Sequence, residues 1–298
     1  MNKSNCFLFP GQGSQSVGMC SEILDSNFAN TYFSKSKDIL NYDVKEIILN
    51  NPQDLLNQTK YTQPAIFIVS AIIDKFLKKN NIFPSIVAGH SLGEYSALFS
   101  ADVLDFEDAL KIIKIRSTEM QNAGDYNPGK MLAILGPNKT QIDKILQKKK
   151  ETLVIANFNS KEQIVLSGDT DSIDKALKEC KNLGIRRAIT LNTSGAFHSP
   201  LMQHARKPLS KIIKSINFNN AKIPVYQNTN PLPEKIGSKI QENLINQLEK
   251  PVQWHDIITN IDSLNNISYI EVGPGKVLSK LNNRILNNKN ALTYKELL

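Results

Sequence analysis

The chain predicts an α/β fold in which a largely parallel main sheet carries a smaller inserted β-α-β-β-α-β module, on three observations. Short apolar runs alternate with stretches of helical periodicity towards both ends of the chain, the order that produces a parallel sheet flanked by helices. Residues 127–195 break that rhythm and hold strands and helices in close succession. The segment GHSLGEYS, Gly89–Ser96, follows an apolar strand and enters a helix through a turn that places Ser91 between two glycines. The predicted organisation is a discontinuous large core, residues 1–126 and 196–298, with a small domain at 127–195.

In chain order, CFLFPGQGSQ reads as an apolar strand ending at Pro10 and a glycine-punctuated loop, after which Val17–Leu24 begins a helix. Gly11-Gln12-Gly13 lacks the third glycine of a dinucleotide fingerprint; a backbone amide near Gln12 is the better candidate for an anion contact. Tyr61-Thr62-Gln63-Pro64 opens a long apolar helix running to about Leu77. Ile86, Val87 and Ala88 form a short buried strand, and Leu92–Ala101 a helix with Tyr95, Leu98 and Phe99 at helical spacing. The next helix starts at Asp105, with Asp108 three residues later in an approximate capping box, and stops near Gly124. One face of it carries Ala109, Ile112, Ile113, Arg116 and Met120. An arginine inside an apolar stripe either snorkels to water on its aliphatic stem or stays buried to grip a carboxylate through two parallel hydrogen bonds.

KMLAILG reads as a strand, NKTQIDKILQKKK as a helix, TLVIANFN and EQIVLSG as strands, TDSIDKALKECKNLG as a helix and IRRAITLN as a strand. That order is the split βαβ unit of a ferredoxin-like module. Beyond it TSGAFHSPLM places His198 in a loop, then come a helix and the strand IPVYQNTN. ENLINQLEKPVQW reads as a helix ended by Pro251, and SYIEVGPGKVLSKL as a last strand turning through glycines into the C-terminal helix.

The composition, 41% hydrophobic and 21% charged over 298 residues, is that of a globular chain with ample core. The longest apolar run, Ala65–Ile73, falls far short of the roughly 20 residues that span a bilayer, so no membrane segment is expected. The N-terminus passes straight into the first strand without a leader pattern, and a cytoplasmic location is expected. Three cysteines, Cys6, Cys20 and Cys180, share no metal or disulfide spacing; Cys6 reads as a buried strand residue. A net charge of +8 raises the possibility of a nucleic-acid partner, but the lysines are scattered and form no basic helix interleaved with aromatics. The open alternatives are a solvated lysine-rich surface and a positive field that draws in an acidic protein.

The turn around Ser91 fits the G-x-S-x-G elbow, in which a sharp strand-to-helix turn lifts a serine hydroxyl out of the fold beside unpaired amides. A plain helix N-cap is the competing reading. A serine nucleophile needs a base. Of four histidines, His90 adjoins the serine and points away if the elbow forms, while His204 and His255 lie in polar or lysine-flanked helical surroundings. His198, in its loop, remains, although spacing alone does not make the pair.

FPGQGSQ, TQPA, GHSLGEY, RSTEMQ, AFHSPLM, QLEKPVQW and EVGPGKVL together resemble, in order and nearly end to end, the malonyl-CoA:acyl carrier protein transacylases of type II fatty acid synthesis. The resemblance implies a hydrolase-like core with a ferredoxin-like insert. It implies Ser91 as nucleophile and His198 as base without a triad aspartate, the histidine oriented by the backbone carbonyl of Gln247. The backbone amides of Gln12 and Leu92 become the oxyanion hole. Arg116 becomes the grip on the malonyl carboxylate, and Gln63, Met120 and Phe197 line the acyl pocket.

The implied substrates are malonyl-CoA and the phosphopantetheine thiol of an acidic acyl carrier protein, with no bound metal or redox cofactor and a monomeric enzyme. Arg186 and Arg187 are candidates for part of the carrier-docking surface. A serine hydrolase and a carrier-docking module with a dead site are the alternatives. Transacylases of polyketide assembly share the motifs.

Overall fold

The computed structural model describes residues 3–147, 152–287 and 291–297. The first part of the main fold holds β1 (Ser4–Phe9), α1 (Ser21–Leu24), α2 (Asn27–Leu40), α3 (Val44–Asn50), α4 (Thr59–Lys79), β2 (Ile86–Gly89), α5 (Gly93–Ser100) and α6 (Phe106–Tyr126). Next come β3 (Gly129–Leu135), α7 (Lys139–Gln147), β4 (Val154–Ser160), β5 (Gln163–Asp169), α8 (Thr170–Asn182) and β6 (Arg187–Thr190). The chain returns through α9 (Gln203–Ser215), β7 (Val225–Gln227), β8 (Asn230–Glu234), α10 (Gly237–Asn246), α11 (Trp254–Asp262), β9 (Ile267–Glu271), α12 (Val277–Ile285) and β10 (Leu292–Thr293).

The main sheet has six strands in the order β10-β9-β1-β2-β7-β8. Its neighbouring pairs are parallel except β7 with β8. Its central strands are buried and largely apolar over Cys6–Phe9 and Ile86–Gly89 because helices cover both faces. Phe7, Phe9 and Val87 pack to one side with α4 and α6. Cys6, Leu8 and Ala88 pack to the other with Trp254, Ile257 and Ile261 of α11, the period-2 division of a pleated strand. Cys6 is fully buried, as its strand position predicts.

The second sheet has four strands, β4-β5-β3-β6, all antiparallel. Leu132, Ile134 and Leu166 pack beneath α7 and α8 with Ile142, Ile173 and Cys180, while Met131, Ala133 and Val165 join the main core. The expected β-α-β-β-α-β order is the order observed. The predicted helix over NKTQIDKILQKKK is present at Lys139–Gln147, and its last three residues lie outside the described ones. Strand β4 abuts the segment before α11: Phe158 N–H donates to Val252 O at 2.9 Å and Val252 N–H to Ala156 O at 2.8 Å. This contact brings the small sheet over the carboxyl ends of β1 and β2.

Several boundaries differ from expectation. Only Ser21–Leu24 of the Val17–Leu24 segment is helical, because Gly18 and Cys20 take left-handed φ values of 69° and 58°. Helix α6 starts as predicted, Asp105 Oδ1 accepting from Asp108 N–H at 2.8 Å, but runs through Gly124 to Tyr126. Gly124 serves close packing instead: a Cβ there would lie 2.2 Å from Ser194 O. The helix expected to end at Pro251 stops at Asn246, and Gln247–Lys250 turn towards the site. The strand expected in SYIEVGPG is β9, not the last one; β10 follows α12 and pairs with β9. Among the described residues, no helix is long and apolar enough to cross a membrane.

Candidate active site

Ser91 stands where β2 gives way to α5, and the sequence folds sharply there because two glycines permit close backbone approach. A Cβ on Gly89 would meet Gly93 C at 2.0 Å, and one on Gly93 would meet Phe9 O at 1.9 Å. Ser91 itself holds φ 52°, a left-handed torsion that non-glycine residues keep only where their surroundings fix it.

Those surroundings are a hydrogen-bond frame. Asn228 Oδ1 accepts the Ser91 amide at 2.6 Å and Gln247 Nε2 donates to Ser91 O at 2.9 Å. Of the amides from His90 to Glu94, His90 donates to Phe9 O, Gly93 to His90 O and Glu94 to Ser91 O. The Leu92 amide meets no acceptor among the described residues. The Gly11 backbone packs against this turn, a Cβ there lying 2.5 Å from His90 O and 3.7 Å from Leu92 N. Gln12 follows Gly11 and lines the same cavity as Leu92.

His198 is 3% exposed and also holds a left-handed φ, 56°. Its Nε2 lies 2.8 Å from Ser91 Oγ. Its Nδ1 faces two carbonyls, Gln247 O at 3.0 Å and Lys250 O at 3.1 Å. Carbonyl oxygens only accept, so Nδ1 carries the proton and Nε2 presents its lone pair to the serine hydroxyl. Burial, with the Arg116 cation adding to it, pushes the imidazole pKa down to about 3, so the ring is a free base at neutral pH.

The remaining histidines are elsewhere. His90 turns away from the hydroxyl to Asn159 Oδ1 at 2.9 Å and packs on Trp254. His204 is exposed, and His255 Nδ1 faces Asp256 Oδ1 at 3.0 Å.

The snorkelling alternative for Arg116 fails: the side chain is 1% exposed. Nη1 donates to Gln63 Oε1 at 2.6 Å, and Nη2 to Ser91 Oγ at 3.1 Å and Gln247 Oε1 at 3.2 Å. The guanidinium lies 5.4 Å from the Tyr95 ring centroid. Its buried Nε–H has no acceptor among the described residues. No carboxylate there pairs with it, and Glu94 acts on it only through its charge. A buried cation held by neutral acceptors and aimed at a serine hydroxyl is prepared for an anion attached to that serine.

Gln63, Met120 and Phe197 join Gln12, Ser91, Leu92, Arg116 and His198 around one cavity of about 420 Å³. Gln63 Nε2 lies 3.4 Å from Met120 Sδ, and both side chains are about 1% exposed. Another cavity, about 460 Å³ beside Phe158 and His255, holds none of the sequence-predicted site residues. Sequence reasoning missed Glu94, Asn228, Asn157, Asn159 and the side chain of Gln247. Glu94 carried a readable signal, an acid inside GHSLGEYS one turn beyond the serine; the asparagines carried none, since only the fold brings β4 and β7 to the elbow.

Residues 6–297 match the family model of the acyl transferase domain. The chain is 38% identical to the malonyl CoA-acyl carrier protein transacylase of Synechocystis sp. over 95% of both chains. The structure of the malonyl CoA-acyl carrier protein transacylase of Coxiella burnetii superposes with a TM-score of 0.93 at 35% identity, covering 99% of this chain and 94% of that one. A malonyl-transacylase in complex with a type II PKS acyl-carrier protein superposes at 0.90, with 32% identity and coverage of 97% and 94%.

Proposed function

Since the chain belongs to the acyl transferase family, among the malonyl CoA-acyl carrier protein transacylases, we propose that this acyltransferase moves a malonyl group from malonyl-CoA to the phosphopantetheine thiol of acyl carrier protein, supplying fatty acid synthesis. The observation that carries the choice of acyl group is Arg116, a buried guanidinium without a carboxylate partner among the described residues, 3.1 Å from Ser91 Oγ. A malonyl ester on that oxygen presents a free carboxylate one methylene beyond its carbonyl.

The reaction is ping-pong. His198 Nε2 takes the Ser91 proton as Oγ attacks the thioester carbonyl, and the oxyanion forms towards the amides of Gln12 and Leu92, which need no reorganisation to receive it. Collapse breaks the C–S bond, and coenzyme A thiolate leaves with the proton from the imidazolium. The carrier thiol then repeats the path in reverse on malonyl-serine. The Gln247 carbonyl orients His198, and Gln63, Met120 and Phe197 bound the acyl pocket.

In this reading residues 1–126 and 196–298 form a hydrolase-like core and 127–195 a ferredoxin-like small domain. Exposed Arg186 and Arg187 contribute to carrier docking, and the enzyme works as a cytoplasmic monomer without a bound cofactor. Incubation with malonyl-CoA and holo carrier protein tests it: malonyl carrier protein accumulates if the reading holds, whereas free malonate without transfer points to a hydrolase.

A further inference from the structure

The strained turn at Ser91 is braced by a buried acid that touches neither the hydroxyl nor the base. Glu94 and Asn228 are both fully buried. Glu94 Oε2 accepts the Asn228 amide at 2.8 Å, and Glu94 Oε1 accepts Gln227 Nε2 at 3.0 Å. Asn228 in turn uses both ends of its carboxamide on the elbow: Oδ1 accepts from Ser91 N–H, and Nδ2 donates to Gly89 O, each at 2.6 Å. The ring of bonds closes through the helix, where the Glu94 amide donates to Ser91 O at 3.1 Å. The end of β2, the first turn of α5 and the end of β7 are thus tied together around one residue of left-handed φ.

The direction of each bond matters. Both Glu94 oxygens receive N–H donors, a pattern that favours the carboxylate form and opposes the burial that raises this group's pKa. Gln227 cannot reverse its carboxamide freely, since its Oε1 accepts Asn243 Nδ2 at 2.9 Å while its Nε2 also donates to Ile240 O. By occupying the Ser91 amide, Asn228 leaves the Leu92 amide as the unpaired donor of the turn. The brace therefore fixes the position of Oγ and selects which amide faces the cavity.

We propose that Glu94, acting through Asn228, is a positioning residue that holds Ser91 in attack geometry and keeps the Leu92 amide free for the oxyanion. The inference rests on the transacylase reading, with Ser91 as nucleophile.

Glu94→Gln puts an N–H₂ group where one of the two donors now points, and Asn228→Ser keeps the backbone amide for Glu94 while removing the carboxamide that holds the elbow. In single-turnover mixing with malonyl-CoA, each variant should form malonyl-serine about 100-fold more slowly, the scale of a displacement of about 1 Å at a reacting atom. Half-saturation by malonyl-CoA and the malonyl-to-acetyl preference should stay within about twofold of the parent, since Arg116 is untouched. The double variant should be no slower than the slower single, because both changes cut one chain of bonds.

A folded Glu94→Gln enzyme acylating at the parental rate, or losses that multiply in the double variant, overturns the proposal. If Glu94→Gln does not fold, Asn228→Ser carries the test: the 100-fold loss supports the brace and a parental rate overturns it. Ser91→Ala separates the two levels. An adduct on Ser91→Ala removes the underlying reading, whereas no adduct there beside a full-rate Glu94→Gln removes only this inference.

Discussion

His198 is kept uncharged by where it sits, and this sets how the reaction responds to acid. With His198 as the proposed base, the protonated ring cannot accept the Ser91 proton, so activity requires a pH above the histidine pKa, which burial and Arg116 bring from 6.5 down to about 3. The profile of kcat/KM is expected to stay level from pH 8 to about 5; an acid limb centred at the ordinary histidine value would contradict it. A malonyl carboxylate on Arg116 offsets the cation that depresses the ring, so the acid limb of kcat should lie above that of kcat/KM. The sign for stability follows: the unfolded ring gains a proton below 6.5 that the folded ring refuses until about 3, so this group's contribution is complete above 6.5 and falls away as pH drops through that window. In the proposed reading, Arg116→Ala removes one partner of the desolvated pair formed with the malonyl carboxylate, worth on the order of 2 to 5 kcal/mol. The malonyl-over-acetyl ratio of kcat/KM should therefore fall by tens to thousands of fold, and an unchanged ratio would remove Arg116 from selectivity. The turn at Ser91 is legible at this scale because the elbow is local, whereas an ion interrupting an apolar stripe marks Arg116 but leaves snorkelling and burial both open. Asn228 is not legible, because it meets Ser91 only after β7 pairs with β2.

The elements that hold these residues depend on two backbones passing closely. Gly93→Ala would put a methyl group 1.9 Å from Phe9 O, which rigid strand and helix backbone cannot relieve, and a loss of about 3 kcal/mol or more is expected in urea unfolding. Gly184→Ala is the control. Its φ is 74° and a Cβ there meets nothing within 4 Å among the described residues, so only the left-handed torsion is penalised, at about 1 to 2 kcal/mol. Equal losses at the two sites would mean that the elbow is looser than its contacts imply. Strands β1 and β2 were readable as continuous apolar runs because both of their faces are covered. Strand β8 has no strand signature because NPLPE carries two prolines, tolerable only at an edge, and β8 is the edge of its sheet. The end of α10 lies before its apparent stop at Pro251, because Gln247 leaves the helix earlier to reach Ser91 and His198.

Across the whole molecule the net charge of +8 predicts which half-reaction salt affects. A positive field speeds encounter with an acidic carrier protein and is screened over about 10 Å at 0.1 M salt. Carrier malonylation, measured as kcat/KM for the carrier, should fall as salt rises while water discharges malonyl-serine at a steady rate; a carrier step indifferent to salt would assign the lysines to a solvated surface. The order of segments makes a largely parallel sheet and a second small sheet legible, but the seating of β4 on Val252, which roofs the site with Asn157 and Asn159, is a tertiary contact without a local signature. The central claim is that Ser91 carries the malonyl group. It is tested most directly by intact-protein mass after brief mixing with malonyl-CoA, beside acetyl-CoA and a Ser91→Ala control. A malonyl adduct on the parent alone, discharged by holo carrier protein, is the predicted result; an adduct that persists on Ser91→Ala, or none on the parent, would contradict it.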